Sequence, residues 1–528
     1  MNNTSTVTNI AGQPTMFYYD ELGRVERVVD ALGNSTYTTY DANGNVHTRT
    51  DQLSRITTYT YDALNRLVRT TDPLNGVTET TYDAISGNRV ATKDSLGNTT
   101  TYTYDSVGRL VATTDALSRV TRTQYDQYGR RSASIDAAGH ATSYTYDLLD
   151  RVIAVTDPMG NITHTTYDAL GSVLARTDAN GHTSSTTYDV LNRPVTSTDA
   201  NGNVTTNTYD AGGNLISVAD ALGNTTTYSY DALNRRVSVT DPVGKKTQTL
   251  YDSLGRVSDT LDENSVVTHY EYDAIGRQVS VILNYKPASQ PNAETNVRYE
   301  YVYNAVGNRT SVKDAMGNIT TYGYDVLNRV IRKTDPLTNT WTYAYDAGGR
   351  MISSTDAKEQ VIQYTYDAVG QLTYINYPSA SSGQVPGSEA DVSFTYTLIG
   401  QRASMTDGLG TTTWTYDNLN RVISETNPFN KTVSYGYDAA GNRTGLTYPD
   451  GSVASYSFDP ANQLTGVNGT SASVSYAYDT ASRLAEVTRA NGVHTAYSYD
   501  AAGHPTGLDP FQYRRITGFL YIYVRCGW

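Results

Sequence analysis

The sequence predicts an all-β fold in which tandem antiparallel β-hairpins form one long curved sheet that spirals into a hollow barrel or shell. Three observations predict it: a Tyr-Asp pair that recurs every 21 residues, two turn motifs in each period, and Thr-, Gly- and Tyr-rich usage with few helix formers. The series runs from Tyr19-Asp20 to Tyr499-Asp500 and, with degenerate copies such as Tyr303-Asn304, comprises 23 units. Such a period is typical of stacked modules that are each too small to bury a core.

Each unit is predicted to contain two short strands. In the copy that starts at Asn98, Tyr102 and Tyr104 alternate with Thr101 and Thr103. Alternation of β-branched and aromatic residues predicts a strand with its tyrosines on one face. A second β-rich run follows, so each unit supplies two strands of about six or seven residues, roughly 20 Å long.

Each unit contains two turns, one after each strand, and both turns have the same kind of sequence pattern. One turn is Asp105-Ser106-Val107-Gly108-Arg109, and the other has the pattern of Asp220-Ala221-Leu222-Gly223. Asp first and Gly or Asn fourth predict a type I turn whose fourth residue takes positive φ and closes a hairpin with a G1 bulge. Asn is the next most tolerant residue there, as at Asn192, Asn328 and Asn420. The residues assigned to structural repeat turns are Tyr61, Asp62, Asn65, Arg66, Tyr104, Asp105, Gly108, Arg109, Tyr230, Asp231, Asn234 and Arg235.

The width of the sheet predicts its curvature. About 46 strands at ~4.8 Å spacing would make some 220 Å of antiparallel sheet. Open sheets seldom exceed ~10 strands without curling, and strand twist forces curvature as well. The ribbon is therefore expected to coil, with an interior too wide for side chains to fill.

Three regions are expected along the chain. Residues 1–16 form an N-terminal lead, residues 17–506 form the repeat array, and residues 507–528 form a divergent tail. Two Pro- and Ser-rich inserts, near 284–296 and 378–390, are expected to be loops that project from the same rim of the sheet, since the repeat resumes at once after each.

Composition and charge exclude several classes of function. The net charge of −13 argues against binding nucleic acid phosphates. Cys526 is the one cysteine, so no internal disulfide is expected. The polar start of the chain does not have the pattern of a Sec signal peptide, and no apolar run approaches the roughly 20 residues of a membrane span. We expect a protein that is cytoplasmic before export and then secreted, or held at the cell surface, by a non-Sec route.

No catalytic, cofactor-binding or metal-binding residue is predicted. The seven histidines occupy non-equivalent repeat positions. Residues 41–45 resemble the start of a calcium loop, but Gly44 is fourth rather than sixth and Gln52 stands where a bidentate carboxylate is needed, so a turn is expected. The 46 tyrosines could form a carbohydrate platform, although ladders of equivalent tyrosines in neighbouring units are the favoured interpretation.

The motif resembles the Rhs or YD-repeat family. The pattern Tyr-Asp-x-x-Gly-Arg, then Thr-Asp-x-x-Gly-Asn, then Thr-x-Tyr-x-Tyr-Asp extends from about Phe17 to Thr506, and Thr227 to Arg235 is similar to the consensus. Bacterial Rhs proteins, wall-associated proteins and animal teneurins share this repeat. The resemblance implies a β-strip that spirals into a hollow shell, which in bacterial polymorphic toxins encloses a C-terminal toxin delivered to neighbouring cells, often by type VI secretion.

The end of the sequence departs from the pattern of complete family members. Residues 507–515 break the repeat, and Asp509-Pro510 resembles the family's terminal motif without its flanks, so no self-cleavage role is assigned to Asp509. The resemblance then implies a fragment, or one piece of a split locus, without the core end motif and toxin domain.

The sequence thus leads to two alternative functions. The first is a non-enzymatic shell that encapsulates or presents a toxin, with a toxin or cargo polypeptide and a type VI spike or adaptor as partners. The second is a cell-surface adhesion or carbohydrate-binding protein of the wall-associated type. An enzymatic function would have only the divergent tail to support it.

Overall fold

The computed structural model describes residues 3–377, 391–470 and 472–512. In these ranges the chain is all-β, with 47 strands in one sheet and no helix. Accordingly, the described residues offer no apolar helix of bilayer-spanning length. The first strand, β1 (Asn3–Thr8), lies in the N-terminal lead, so the total is one more than two strands per unit.

Each unit contributes a first strand that ends at the repeat aromatic residue and a second strand after the next turn. The first strands are β2 (Pro14–Tyr19), β4 (Ser35–Tyr40), β6 (Ile56–Tyr61), β8 (Val77–Tyr82), β10 (Thr99–Tyr104), β12 (Val120–Tyr125), β14 (Ala141–Tyr146), β16 (Ile162–Tyr167), β18 (Thr183–Tyr188), β20 (Val204–Tyr209), β22 (Thr225–Tyr230), β24 (Lys246–Tyr251), β26 (Val267–Tyr272), β28 (Val297–Tyr303), β30 (Ile319–Tyr324), β32 (Thr340–Tyr345), β34 (Val361–Tyr366), β36 (Val392–Tyr396), β38 (Gly410–Tyr416), β40 (Thr432–Tyr437), β42 (Val453–Phe458), β44 (Ser473–Tyr478) and β46 (Val493–Tyr499). The second strands are β3 (Val25–Val29), β5 (Val46–Thr50), β7 (Leu67–Thr71), β9 (Arg89–Lys93), β11 (Leu110–Thr114), β13 (Arg131–Ile135), β15 (Val152–Thr156), β17 (Val173–Thr177), β19 (Pro194–Thr198), β21 (Leu215–Ala219), β23 (Arg236–Thr240), β25 (Val257–Leu261), β27 (Gln278–Leu283), β29 (Arg309–Lys313), β31 (Val330–Thr334), β33 (Met351–Thr355), β35 (Leu372–Asn376), β37 (Arg402–Asp407), β39 (Val422–Thr426), β41 (Arg443–Thr447), β43 (Leu464–Asn468), β45 (Leu484–Arg489) and β47 (Pro505–Gln512).

The 21-residue period divides into two strands and two turns. In the unit of β10 and β11, six residues form the first strand and five form the second. Residues 105–109, the Tyr-Asp turn, and residues 115–119, the Thr-Asp turn, take up the rest. Most first strands therefore have the expected six or seven residues, whereas most second strands have five, because each turn uses five.

The two kinds of hairpin differ in register. Across the Thr-Asp turn, β11 and β12 pair without irregularity. Across the Tyr-Asp turn, Tyr104 pairs with Leu110 but Thr103 pairs with Ala112, so the register shifts by one residue. The same bulge follows the Tyr-Asp turns that join β14 to β15 and β22 to β23, for example. A bulge increases local twist and bends the strand that carries it.

The two faces of the sheet have different side chains, as the alternation predicts. Along β10 the exposed positions, including Thr101 and Thr103, alternate with half-buried ones that include Tyr102 and Tyr104. We name these the threonine face and the tyrosine face. Cross-strand hydroxyl pairs recur on the threonine face, such as Thr187 Oγ1 to Thr196 Oγ1 at 2.6 Å. Few side chains are buried on either face; the buried apolar residues are Val29, Ala133, Ile282, Phe394, Ala454 and Val487.

The chain divides into two compact units. Unit 1 comprises Met1–Arg122 and Gln248–Thr395, and unit 2 comprises Thr123–Thr247 and Tyr396–Trp528. Each unit thus contains two stretches of the strip that are far apart in sequence. The insert near 284–296 connects β27 to β28 in unit 1; the insert near 378–390 and residues 513–528 of the tail lie outside the described residues.

Inside unit 1, Thr-Asp turns of the first stretch contact Tyr-Asp turns of the second. Arg55 Nη1 donates to Asn328 Oδ1 at 2.9 Å, and Ser95 Oγ donates to the carbonyl of Ala347 at 2.7 Å. The side chain of Leu96 lies against Gly348, where an added Cβ would stand 2.7 Å from Leu96 Cδ1. We call this line of contact the seam of unit 1.

Unit 2 has a seam of the same kind. Asn180 Nδ2 donates to Asp438 Oδ2 at 3.0 Å, and Asn201 Nδ2 donates to Asp459 Oδ2 at 2.9 Å. In both cases a Thr-Asp turn of the first stretch contacts a Tyr-Asp turn 258 residues later. The seams therefore join turns of opposite kind.

The Tyr-Asp turns as the candidate functional site

The repeated motif forms the predicted turn in the unit of Asp105. The amide of Gly108 donates to the carbonyl of Asp105 at 3.0 Å, and the amide of Asp105 donates to the carbonyl of Arg109 at 2.9 Å. Gly108 has φ of 83°, the left-handed conformation that a G1-bulge hairpin requires. Residues 41–45 form the same turn, with the amide of Asp41 bonded to the carbonyl of Asn45 at 2.9 Å.

Asparagine takes the place of glycine in several of these turns. Asn65 and Asn234 both have φ of 59°. Asn192, Asn328 and Asn420 have φ between 61° and 67°. All five therefore occupy the left-handed region, as the sequence predicts, because Asn tolerates that region better than other residues with a Cβ.

The motif aspartate holds the turn together with both carboxylate oxygens. Asp105 Oδ1 accepts the amides of Val107 and Arg109 at 3.1 and 2.9 Å, while Oδ2 accepts Arg109 Nε at 2.7 Å. The backbone bond from Arg109 and the guanidinium bond lower the pKa of Asp105. Both oxygens of this carboxylate are therefore bonded within its own turn.

Asp62 and Asp231 have the same environment. Asp62 Oδ2 accepts Arg66 Nε at 2.8 Å and Asp231 Oδ2 accepts Arg235 Nε at 2.7 Å. The guanidinium bonds are the main cause that lowers the pKa of both carboxyls, and backbone amides add to it. All three aspartates are thus held in the charged form by bonds that also shape the turn.

The motif tyrosine reaches back to the preceding unit. Tyr104 Oη donates to the carbonyl of Arg89, and Tyr230 Oη donates to the carbonyl of Leu215, both at 2.9 Å. Arg89 and Leu215 stand at the bulges of the preceding Tyr-Asp hairpins. A bulge disrupts the ladder locally, so the tyrosine hydroxyl supplies a donor where the ladder is interrupted. Tyr61 is the equivalent residue at the end of β6, where it pairs with Leu67.

The motif arginine reaches forward to the next unit. The guanidinium of Arg66 lies 4.4 Å from the centre of the Tyr82 ring, a cation–π distance, and its Nη1 donates to the carbonyl of Gly87 at 3.3 Å. In other units Nη1 bonds the carbonyl of the next motif aspartate, as Arg151 does with Asp168 at 2.7 Å. Arginines over the next repeat tyrosine are Arg24, Arg130, Arg151, Arg193, Arg256, Arg277, Arg329, Arg350, Arg421 and Arg483.

A shorter link replaces arginine where the next turn has asparagine at its fourth position. Asn214 Nδ2 donates to Asn234 Oδ1 at 2.9 Å, and Asn45 Nδ2 donates to Asn65 Oδ1 at 2.8 Å. The same pair occurs between Asn442 and Asn462. The sequence shows both residue types, but the coupling across 20 residues becomes visible only once the turns are placed side by side.

A cluster of charged residues lies beside the first insert, and the sequence did not predict it. His269 Nδ1 lies 2.7 Å from Asp259 Oδ1, and the His269 ring stacks on Tyr285 of the insert at 4.4 Å. Arg298 pairs with Glu271, and Lys313 Nζ lies 2.7 Å from Glu300 Oε2. Cross-strand pairing on the threonine face brings these groups together. The charges are paired within the cluster, which anchors the start of the insert.

Metal-ligating side chains do not come together in the part of the chain that the structure describes. No group of three His, Cys, Asp or Glu there could hold an ion. In many units the motif tyrosine bonds the preceding unit, and the motif arginine or asparagine bonds the following one. The motif residues therefore link neighbouring units through hydrogen bonds and cation–π contacts.

The RHS Repeat family model matches most of the chain. The matches cover residues 40–77, 86–204, 209–246, 251–284, 303–361 and 396–509, in overlapping copies. No curated protein matches the chain.

Solved structures of Tc toxin components have the same fold. A crystal structure of TcdB2-TccC3-TEV matches with a TM-score of 0.77 and 16% identity over 95% of this chain. The Photorhabdus luminescens Tc holotoxin pore matches with a TM-score of 0.74 and 15% identity over 96%. The chain spans 36% and 37% of the length of those two chains. On the repeat matches, this chain belongs to the RHS-repeat family.

Proposed function

We propose that this chain is a non-enzymatic shell segment of an Rhs-type polymorphic toxin, which encapsulates or presents a C-terminal toxin for delivery to neighbouring cells. One observation carries the proposal: among the described residues, the RHS repeats form one sheet of 47 strands in which few side chains are buried on either face. A sheet of this kind has one face free to line an enclosed volume. Its partners would be a toxin or cargo polypeptide and a type VI spike or adaptor.

Two further observations support the proposal. One of the structural relatives is the Photorhabdus luminescens Tc holotoxin pore. The motif aspartates and arginines, which would be the natural candidates for chemistry, bond each other and the backbone of the turns. Export by a non-Sec route belongs to the same proposal.

A protease-protection experiment tests encapsulation. An unfolded reporter polypeptide is fused after Trp528, and its cleavage by a nonspecific protease is compared with cleavage of the same reporter on an unrelated compact protein. We expect slower cleavage on this chain, because enclosed sites are withheld from the protease. Equal cleavage rates would contradict encapsulation, and destroying the fold with urea should abolish any protection.

Carbohydrate binding at a cell surface is the second candidate, and the aromatic row of unit 1 favours it. Tyr301, Tyr322, Tyr343 and Tyr364 occupy equivalent half-buried positions on the tyrosine face of β28, β30, β32 and β34. Successive rings are two strand spacings apart, about 9.6 Å. Saturable binding on a glycan array that is lost in Tyr322→Ala with Tyr343→Ala would support this candidate, and an array without binding would remove it.

A further inference from the structure

In most units the third residue of each turn is large and apolar. The turns line the two edges of each stretch of sheet, which we call rims, and the exposure of this residue depends on whether its rim lies at a seam. The Thr-Asp turns of the first stretches carry these side chains on the seam side, where Leu96 contacts Gly348 and Met159 contacts Arg421. Their exposure there is between 37% and 51%. The residues are Leu32, Leu53, Leu74, Leu96 and Leu117 in unit 1, and Met159, Leu222 and Val243 in unit 2.

The same position is far more exposed on the two rims of each unit that lie away from the seam. There the exposure is between 65% and 98%. On the Tyr-Asp turns the residues are Leu22, Leu64, Ile85 and Val107 in unit 1, and Tyr128, Leu149, Leu170, Leu191 and Leu233 in unit 2. On the Thr-Asp turns they are Met316 and Leu337 in unit 1, and Leu409 and Phe429 in unit 2.

Each unit therefore carries two outer rims, one of Tyr-Asp turns and one of Thr-Asp turns. These outer rims present the same kinds of side chain as the two rims that meet at the seam of the unit. Contiguous exposed apolar residues bordered by polar ones are characteristic of interaction surfaces. The polar groups are also alike: the seams use Arg, Asn and Ser side chains of Thr-Asp turns against carbonyls and carboxylates of Tyr-Asp turns. The same residue types recur at the outer rims.

We propose that copies of this chain associate head to tail, with the outer Tyr-Asp rim of one copy docking on the outer Thr-Asp rim of another through contacts of the seam type. The occupant is a second copy because it supplies the complementary rim in the same repeat spacing. Such an interface joins two different surfaces, so it leaves rims of both kinds free and allows further copies to add. Burial of the apolar rows drives the association.

Sedimentation velocity and light scattering test the association. The wild-type chain is expected to show masses above 57.6 kDa that increase with concentration. A Tyr-Asp-rim variant carries Leu64→Glu and Leu170→Glu, and a Thr-Asp-rim variant carries Leu337→Glu and Phe429→Glu. Each variant alone is expected to remain a single copy. The control, Thr60→Glu with Thr166→Glu, adds the same charge to exposed positions of the threonine face and is expected to assemble like the wild type.

Mixing the two rim variants separates head-to-tail docking from other modes. Each variant retains intact outer rims of one kind only, so the equimolar mixture is expected to form complexes that contain both variants, although neither variant associates alone. A wild-type chain that stays at the single-copy mass at all concentrations would overturn the proposal, and that measurement needs no variant to fold. Rim variants that assemble like the wild type would overturn it as well.

Discussion

At the scale of single residues, the motif aspartate stabilises the turn that it starts, and its side-chain chemistry makes this role predictable. Asp105 was expected to start a type I turn, and it does so through two backbone amides and one guanidinium. The sequence predicts this because an Asx side chain in such a turn bonds amides two residues on. The distant partners of Tyr104 and Arg66 were not predictable locally, since they belong to neighbouring units.

Replacing this aspartate tests the local role. Asp105→Ala removes three accepted hydrogen bonds, whereas Asp105→Asn retains an oxygen for the two amides. We expect amide hydrogen exchange in residues 99–114 to accelerate strongly in the alanine variant and mildly in the asparagine variant. Hydrogen exchange with mass spectrometry measures this region separately from the rest of the chain. Equal exchange in both variants would show that the carboxylate oxygens do not hold the turn.

The lowered pKa values of the motif aspartates predict an acid limit of stability. The folded pKa of Asp62, Asp105 and Asp231 lies below the unfolded value of about 3.9. Their contribution is therefore fully present above pH ~3.9 and is lost as the pH falls through the lower folded pKa values. We expect the melting temperature to be nearly constant from pH 7 to about 4.5 and to fall below pH ~3.9. A melting temperature that does not fall in acid would contradict the charged-turn account.

At the scale of strands and turns, the local pattern predicted two strands and two turns per unit, and the structure contains them. The G1 bulge at Gly108 was predicted, but the further register shift beyond the Tyr-Asp turn was not. Both turns have the same local chemistry, and only the pairing of Tyr104 with Leu110 and of Thr103 with Ala112 reveals the shift. The strand in the N-terminal lead was missed because it carries no repeat motif. Its pairing of Val7 with Thr15 extends the ladder at the start of the array.

Coupling between adjacent turns can be tested by a double-mutant cycle. Asn214→Arg places a long side chain before the turn of Asn234, and Asn234→Gly restores the combination seen at Arg193 and Gly213. We expect the single Asn214→Arg change to destabilise residues 204–240, because the bond of Asn214 to Asn234 is lost. The double variant should recover about 0.5–1 kcal/mol of this, as a coupled pair does. Additive effects would mean that the two positions are independent.

At the scale of the whole molecule, the all-β fold class was predictable from the sequence, whereas the seams were not. The contact of Arg55 with Asn328 joins residues 273 apart, and nothing in either turn indicates which turn it meets. Local chemistry fixes a strand or a turn, but a contact between distant turns depends on the accumulated curvature of every strand between them. The small residue at Gly348, which accommodates Leu96, is intelligible only after the seam is known.

Enclosure of a volume by the sheet is the central claim, and small-angle scattering on the single-copy fraction from size exclusion tests it most directly. A compact protein of 528 residues has a radius of gyration of about 24 Å. A single-layer strip that surrounds solvent places its mass away from the centre, so we predict a clearly larger radius and a distance distribution whose maximum lies beyond half of the longest dimension. A radius near 24 Å with a symmetric distribution, or the profile of a straight rod, would contradict the shell.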